Sequence, residues 1–124
     1  MRQAEAETLV YQTVWDTAMT AANAAGDKWV AEHTQPVWGV MDGNRLVGTM
    51  LDVCGIVYIR CRDRRNKFWK WCIKTNRAYS HSLALHHKYR MRQEQGLNEA
   101  CAYAALQVFS KAGIDCFSVY SRID

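Results

Sequence analysis

Between Glu5 and about Ala25 the apolar residues return every three to four positions, at Val10, Val14, Ala18, Ala21 or Ala22, and Ala25. That spacing predicts a helix with a mostly alanine stripe, stopped by Gly26, with Tyr11 and Trp15 beside the stripe. Asp27 to Pro36 reads as an irregular connection, since proline can open a strand but not sit inside one. Two apolar runs, Val37 to Met41 and Leu46 to Leu51, flank Asp42-Gly43-Asn44 and predict a β-hairpin, because the Asp-Gly pair supplies the positive φ of its turn. After a bend at Asp52 to Gly55, the run Ile56-Val57-Tyr58-Ile59 is β-branched or aromatic throughout and predicts a central strand to Cys61, buried on both faces.

Asn66 to Lys74 fits two periods. Period two puts Trp69, Trp71 and Ile73 on one face, whereas the helical period groups Phe68, Trp71 and Cys72. The helix is favoured because Asn66 can cap its start, Lys70 and Lys74 suit its C-terminal end, and Asn76 can close it in a left-handed conformation. Tyr79 to His87 alternates and predicts a strand. A second long helix is expected from Arg90 or Met91 to Ala112, with Leu97, Cys101, Ala104 or Ala105, and Val108 inward and Gly113 as its cap; a strand follows from Ile114 to Ser121. The order αβββαβαβ describes one α+β domain over residues 1–124: a mixed, largely antiparallel sheet with N-terminal and C-terminal helices.

Composition narrows the class. With 49% hydrophobic residues, seven glycines and one proline in 124 residues, the chain is neither disordered nor low-complexity. Its longest apolar run, Val53 to Ile59, falls far short of the ~18 residues of a bilayer span, so no membrane association is expected. The acidic start, with Glu5 and Glu7, does not suit a signal peptide. The five cysteines (54, 61, 72, 101, 116) are then expected as reduced core thiols in a cytoplasmic setting.

Charge changes the picture most. The net +4 conceals −4 over residues 1–59, +10 over 60–92 and −2 over 93–124. Such a block repels itself, so it belongs on solvent, as a merely solvated face, or against an anion. Interleaved with it are aromatic residues: Arg60, Arg62, Arg64, Arg65, Lys67, Phe68, Trp69, Lys70, Trp71, Lys74, Arg77 and Tyr79, with Arg90 and Arg92 beyond. Arginine forks suit phosphates, and aromatic planes stack on nucleotide bases. Arg62, Arg64, Arg65 and Lys67 concentrate where free N–H groups at a helix start would add to their charge. On the helical reading Phe68, Trp71 and Cys72 are core, and Trp69 turns outward to stack on a ligand.

Other chemistries find less support. Ser80, His81, Ser82, His86 and His87 could in principle serve a small phosphoesterase or nuclease, but paired H-x-S/T motifs are missing and Asp52 and Asp63 are the only acids between residues 43 and 93. The spacing Cys54-x6-Cys61-x10-Cys72 lacks the close pairs of a zinc site, and adjacent His86 and His87 point to opposite faces of a strand. No phosphate-cradling glycine loop occurs, so neither metal nor cofactor is expected.

The Ala-rich first helix, the strand opening Val53-Cys54-Gly55, the short helix with Phe68 and Trp71, and the ending Ala102-Tyr103-Ala104…Ala112-Gly113-Ile114…Ser121-Arg122-Ile123-Asp124 resemble small accessory proteins of tailed bacteriophages. The resemblance implies action in the host cytoplasm, often by disabling host machinery or immune signals, and carries over no catalytic residue. The leading expectation is a non-enzymatic binder of an anionic ligand, a host nucleotide signal or a nucleic acid. The alternative is an inhibitor docking onto an acidic patch of a host protein. Tyr11, Trp15 and Trp29 near the Ala-rich helix offer a surface for a second copy, hence a homo-oligomer. Because no disulfide is expected, adding a reducing agent should leave Tm unchanged in a thermal melt; a drop of many degrees would reveal a crosslink.

Overall fold

The computed structural model describes residues 2–123, apart from the side chains of Ala4 and Trp38; Met1 and Asp124, the last residue of the closing segment, lie outside the described residues. The elements are α1 (Gln3–Glu32), β1 (Trp38–Asp42), β2 (Arg45–Met50), β3 (Gly55–Cys61), α2 (Lys67–Lys74), β4 (Ala78–Tyr79), β5 (Ser82–Leu83), α3 (Gln95–Lys111) and β6 (Phe117–Ile123). The fold is α+β. An antiparallel sheet of order β4-β5-β3-β6 carries the helices, and β1 and β2 form a separate antiparallel hairpin. No helix among the described residues is long and apolar enough to cross a membrane.

α1 runs a full two turns past the expected stop. Gly26 lies inside it and is needed for a close approach: a Cβ there would fall 2.4 Å from the Tyr89 ring and 3.0 Å from the Cys101 sulfur. The helix ends at His33, whose ring stacks on Trp29 with centroids 3.9 Å apart and bonds the Trp29 carbonyl through Nδ1 at 2.7 Å. The hairpin turns at Gly43, φ 62°, as its Asp-Gly pair requires, but stands apart from the main sheet with Val40, Met41, Leu46 and Val47 exposed.

β3 is central, between β5 and β6; the helices pack on one of its faces, and on the other Ile56 and Tyr58 are half-buried while Arg60 is exposed. Val57, Ile59 and Cys61 point toward the helices with Phe117 and Val119 of β6, and Ile59 is fully buried. Among the described residues no helix packs on that other face, so the expected full burial on both faces is reached on one only.

α2 is the helix favoured from sequence. The Asn66 side chain accepts from the Trp69 N–H at 3.1 Å, and Asn76 takes the left-handed conformation at φ 60°. The expected strand from Tyr79 to His87 is instead a tight hairpin of two-residue strands turning at Ser80, φ 60°. Beyond it the backbone is drawn to α1: the His86 N–H donates to the Met19 sulfur at 3.2 Å and the Lys88 N–H to Asn23 Oδ1 at 2.8 Å. α3 starts only at Gln95 because residues 93–95 pair first with residues 53–55, the Gly55 N–H donating to the Gln93 carbonyl and the Gln95 N–H to that of Val53; β6 starts at Phe117, after Ile114 and Cys116 are buried in the core.

The core joins Ala18 and Ala22 of α1, Leu97, Cys101, Ala102, Ala105 and Phe109 of α3, and the aromatic residues of α2. Trp15, expected beside the stripe, is 3% exposed, between His86 and Phe109. Tyr11 meets Phe68 and Trp71, so the aromatics proposed to receive a second copy are largely engaged within the chain. Cys61, Cys72, Cys101 and Cys116 carry free thiols. Burial pushes Cys72 and Cys116 up to about 12 and Cys101 to about 11, which keeps all three protonated.

Trp69 is the main correction. It is 2% exposed and packs edge-on to Phe117 at 6.2 Å, while Trp71 is also buried. α2 lies in a corner between α1 and the sheet, so two of its sides are covered and a 100° turn from Trp71 does not reach solvent. Trp69→Ala should therefore cost roughly 3–5 kcal/mol in urea unfolding, the cavity range, rather than the ~0.5 kcal/mol of a surface change.

Candidate nucleic-acid interface

The uncovered face of the sheet is defined by strand alternation. With Val57, Ile59, Phe117 and Val119 turned to the core, Ile56, Tyr58, Arg60, Ser118, Tyr120 and Arg122 share the opposite face. The antiparallel register sets Tyr58 opposite Tyr120, Arg60 opposite Ser118 and Ile56 opposite Arg122. The two tyrosine rings lie 5.0 Å apart, tilted by 31°, and the Arg60 guanidinium carbon sits 5.6 Å from the Tyr120 centroid. Such contacts contribute about 0.5–1 kcal/mol each and hold the rings and the cation in fixed relative places.

The same face continues across the sheet. Arg60 is opposite Ser82 of β5, and Ser82 is opposite Tyr79 of β4, so Tyr79, Ser82, Arg60 and Ser118 form one row over all four strands. Tyr79 is 83% exposed. A depression of about 430 Å³ opens here, lined by Tyr58, Arg60, Tyr79, Ser80, His81 and Ser82 among others. At its rim Arg64 donates to the Ser80 carbonyl at 3.4 Å. The face thus combines aromatic planes, hydroxyls and cations without a carboxylate among its lining residues.

The remaining basic residues named from sequence are dispersed. Arg62 donates to the Asp115 carbonyl, and Arg65 pairs with Asp63 at 3.1 Å, holding the Asp63 carboxyl below its usual range chiefly through the Arg65 backbone N–H. Lys67 faces Glu7 of α1 at 3.9 Å, while Lys70 and Lys74 are exposed on α2. The helix start therefore does not gather Arg62, Arg64, Arg65 and Lys67 into one free cluster. Arg77 is a strut: its guanidinium lies 4.6 Å from the Trp71 ring and 5.7 Å from that of Trp15, donates to Gln12 at 2.8 Å, and leaves a buried Nε unbonded. Arg90 and Arg92 border a different groove, at the edge of β3.

Sequence reasoning missed Tyr58, Tyr120 and Arg122 as site residues, and weighed His81 only for catalysis. A signal was present: Tyr58-Ile59-Arg60 and Tyr120-Ser121-Arg122 repeat the spacing Tyr-x-Arg, which on paired strands puts both residue types on one face. Among the described residues no group of three or more His, Cys, Asp or Glu side chains could hold a metal ion. Comparison with known proteins returns no matching family model, no matching curated protein and no matching solved structure.

Below the groove, Arg92 grips Glu94, which is 3% exposed; this pairing, ahead of the opposing effect of burial, holds the carboxyl below its usual range. A carboxylate with a depressed folded value contributes stability above its unfolded value near 4.5 and loses it as pH falls through the folded value. Unfolding free energies measured down the acid range should show Glu94→Gln less stable than the parent at neutral pH, with the gap narrowing below about pH 4.5. A gap constant with pH would show that the pair adds no stability.

Proposed function

We propose that the chain is a non-enzymatic, phage-type binding protein and that its ligand is single-stranded nucleic acid laid across the open face of the four-stranded sheet. The carrying observation is the Tyr58–Tyr120 pair beside Arg60 on a sheet face that the helices leave bare. Unstacked bases gain roughly 1–3 kcal/mol each on aromatic side chains, and neighbouring cations take the phosphates between them. Four strands at about 4.8 Å spacing offer room for two or three nucleotides, with Tyr79 and the Tyr58–Tyr120 pair as separate stacking positions. The open, row-like shape favours a strand over a single small nucleotide signal, which gains most from being enclosed. Arg60 and Arg122 lie on the face and Arg64 borders it, which gives it positive potential.

Fluorescence anisotropy with labelled oligo(dT) and oligo(U) twelve-mers over a range of salt should show binding that weakens steeply as salt rises. Tyr58→Leu and Tyr120→Leu keep apolar bulk but remove the stacking plane, and each should weaken binding about tenfold or more. Tight binding of a cyclic dinucleotide with no affinity for either oligomer would instead favour the small-signal reading. Failure of both, with retention of an acidic host protein, would favour the protein-inhibitor reading.

A further inference from the structure

β3 is partnered unevenly along its two edges. β6 pairs with it from Gly55 to Cys61, but on the opposite edge β5 meets it only at Arg60. There the Gly55 N–H donates to the Gln93 carbonyl at 3.1 Å, and the Cys61 N–H to the His81 carbonyl at 2.8 Å. Backbone groups of an antiparallel strand alternate in direction, so the groups of residues 55, 57, 59 and 61 face this edge. Val57, midway, has no strand or loop paired with it on that side among the described residues.

The segment that could have filled the gap is committed elsewhere. The N–H groups of His86, Lys88, Tyr89 and Arg92 are taken by Met19, Asn23, His87 Nδ1 and the Tyr89 carbonyl. The result is a groove of about 280 Å³ with residues 55–58 on one wall and His87, Arg90, Arg92 and Asn98 among the others. His87 is 4% exposed; its Nδ1 accepts the Tyr89 N–H at 3.2 Å, which leaves the ring proton on Nε2, and Nε2 has no partner among the described residues. Burial and then Arg90 push the ring's pKa down, so it is neutral at pH 7. Arg90 donates through one nitrogen to the His87 carbonyl at 3.2 Å and is otherwise exposed.

A bare anion would use the donors of Arg90 and His87 but leave the Val57 carbonyl unanswered. An extended peptide answers both, since it carries donors, acceptors and a terminal carboxylate. Contacts at Gly55 and Cys61 close the gap at both ends, so a chain end fits where a chain passing through would collide. From Gly55 to Ile59 the open edge spans about 13 Å, room for roughly three residues. We infer that the groove binds the C-terminal end of a partner polypeptide, added as a short strand on β3 with its terminal carboxylate against Arg90 and the His87 Nε2–H. Its direction is antiparallel to β3, because Arg90 and Arg92 lie in the chain just before Gln93, at the Gly55 end. The inference does not rest on the sheet-face reading, although Tyr58 borders both sites, and its test uses neither nucleic acid nor a tyrosine variant.

Acetyl-Thr-Val-Thr-Val with a free carboxylate, its C-terminal amide, and inorganic phosphate should be titrated into the isotope-labelled full chain and followed by amide NMR. The free acid should shift the Gly55 and Val57 amides and slow hydrogen exchange at Val57; the amide should bind about tenfold or more weaker, as should the free acid to Arg90→Ala. An unchanged melt shows that Arg90→Ala is folded. The inference is overturned if Val57 gains no protection at millimolar peptide, if acid and amide bind alike, if Arg90→Ala binds as the parent does, or if phosphate alone reproduces the Val57 protection.

Discussion

The close approach of the two long helices governs the rest of the molecule. α1 offers Ala18, Ala22 and Gly26, and α3 offers Cys101, Ala102 and Ala105, all buried. Small side chains let α1 pack closely along α3, which itself lies on one face of a narrow sheet, and the Tyr89 ring fills the notch at Gly26. Phe68, Phe109 and Phe117 then fill the space beneath, with ring centroids 5.3–6.1 Å apart. Both long helices, and α2 with them, are thereby committed to one face. Among the described residues no further helix is left for the other, where Tyr58, Arg60 and Tyr120 lie.

The same commitment explains why a run of eleven bases does not make one basic surface. The run crosses a strand, a loop, a helix, a hairpin and an irregular segment, and each turns its cations a different way. Arg77 ends up between Trp15 and Trp71, linking α1 to α2 where a positive charge lies on aromatic faces. Arg62, Arg65 and Lys67 tie loops and helix starts to neighbouring acceptors. Of the block, Arg60 and Arg64 remain where aromatic residues are also free.

Legibility followed locality. The capped helix at Asn66, the turn at Gly43 and the α+β order were readable because each depends on a few adjacent residues. Gly26 was misread because a glycine that ends a helix and one that admits a neighbour look alike until Tyr89, 63 positions on, is placed. Tyr79 to His87 alternates like a strand, yet bonds from α1 side chains to His86 and Lys88 override that pattern. Trp69 was misplaced because a helix of eight residues in a corner is covered on two sides, which periodicity with a single buried stripe does not describe. The site itself was half visible: its charge lay in the block, while its aromatic planes lay in two strands distant in sequence and joined only by register.

The central claim is that the helices leave one aromatic and basic sheet face free and that ligand lies upon it. Ultraviolet crosslinking of an oligo(U) carrying 4-thiouridine, followed by peptide mapping, reads this directly. The account predicts crosslinks in the peptides holding Tyr58, Tyr79 and Tyr120, on β3, β4 and β6. Crosslinks confined to α2, at Trp69 or Trp71, would contradict it.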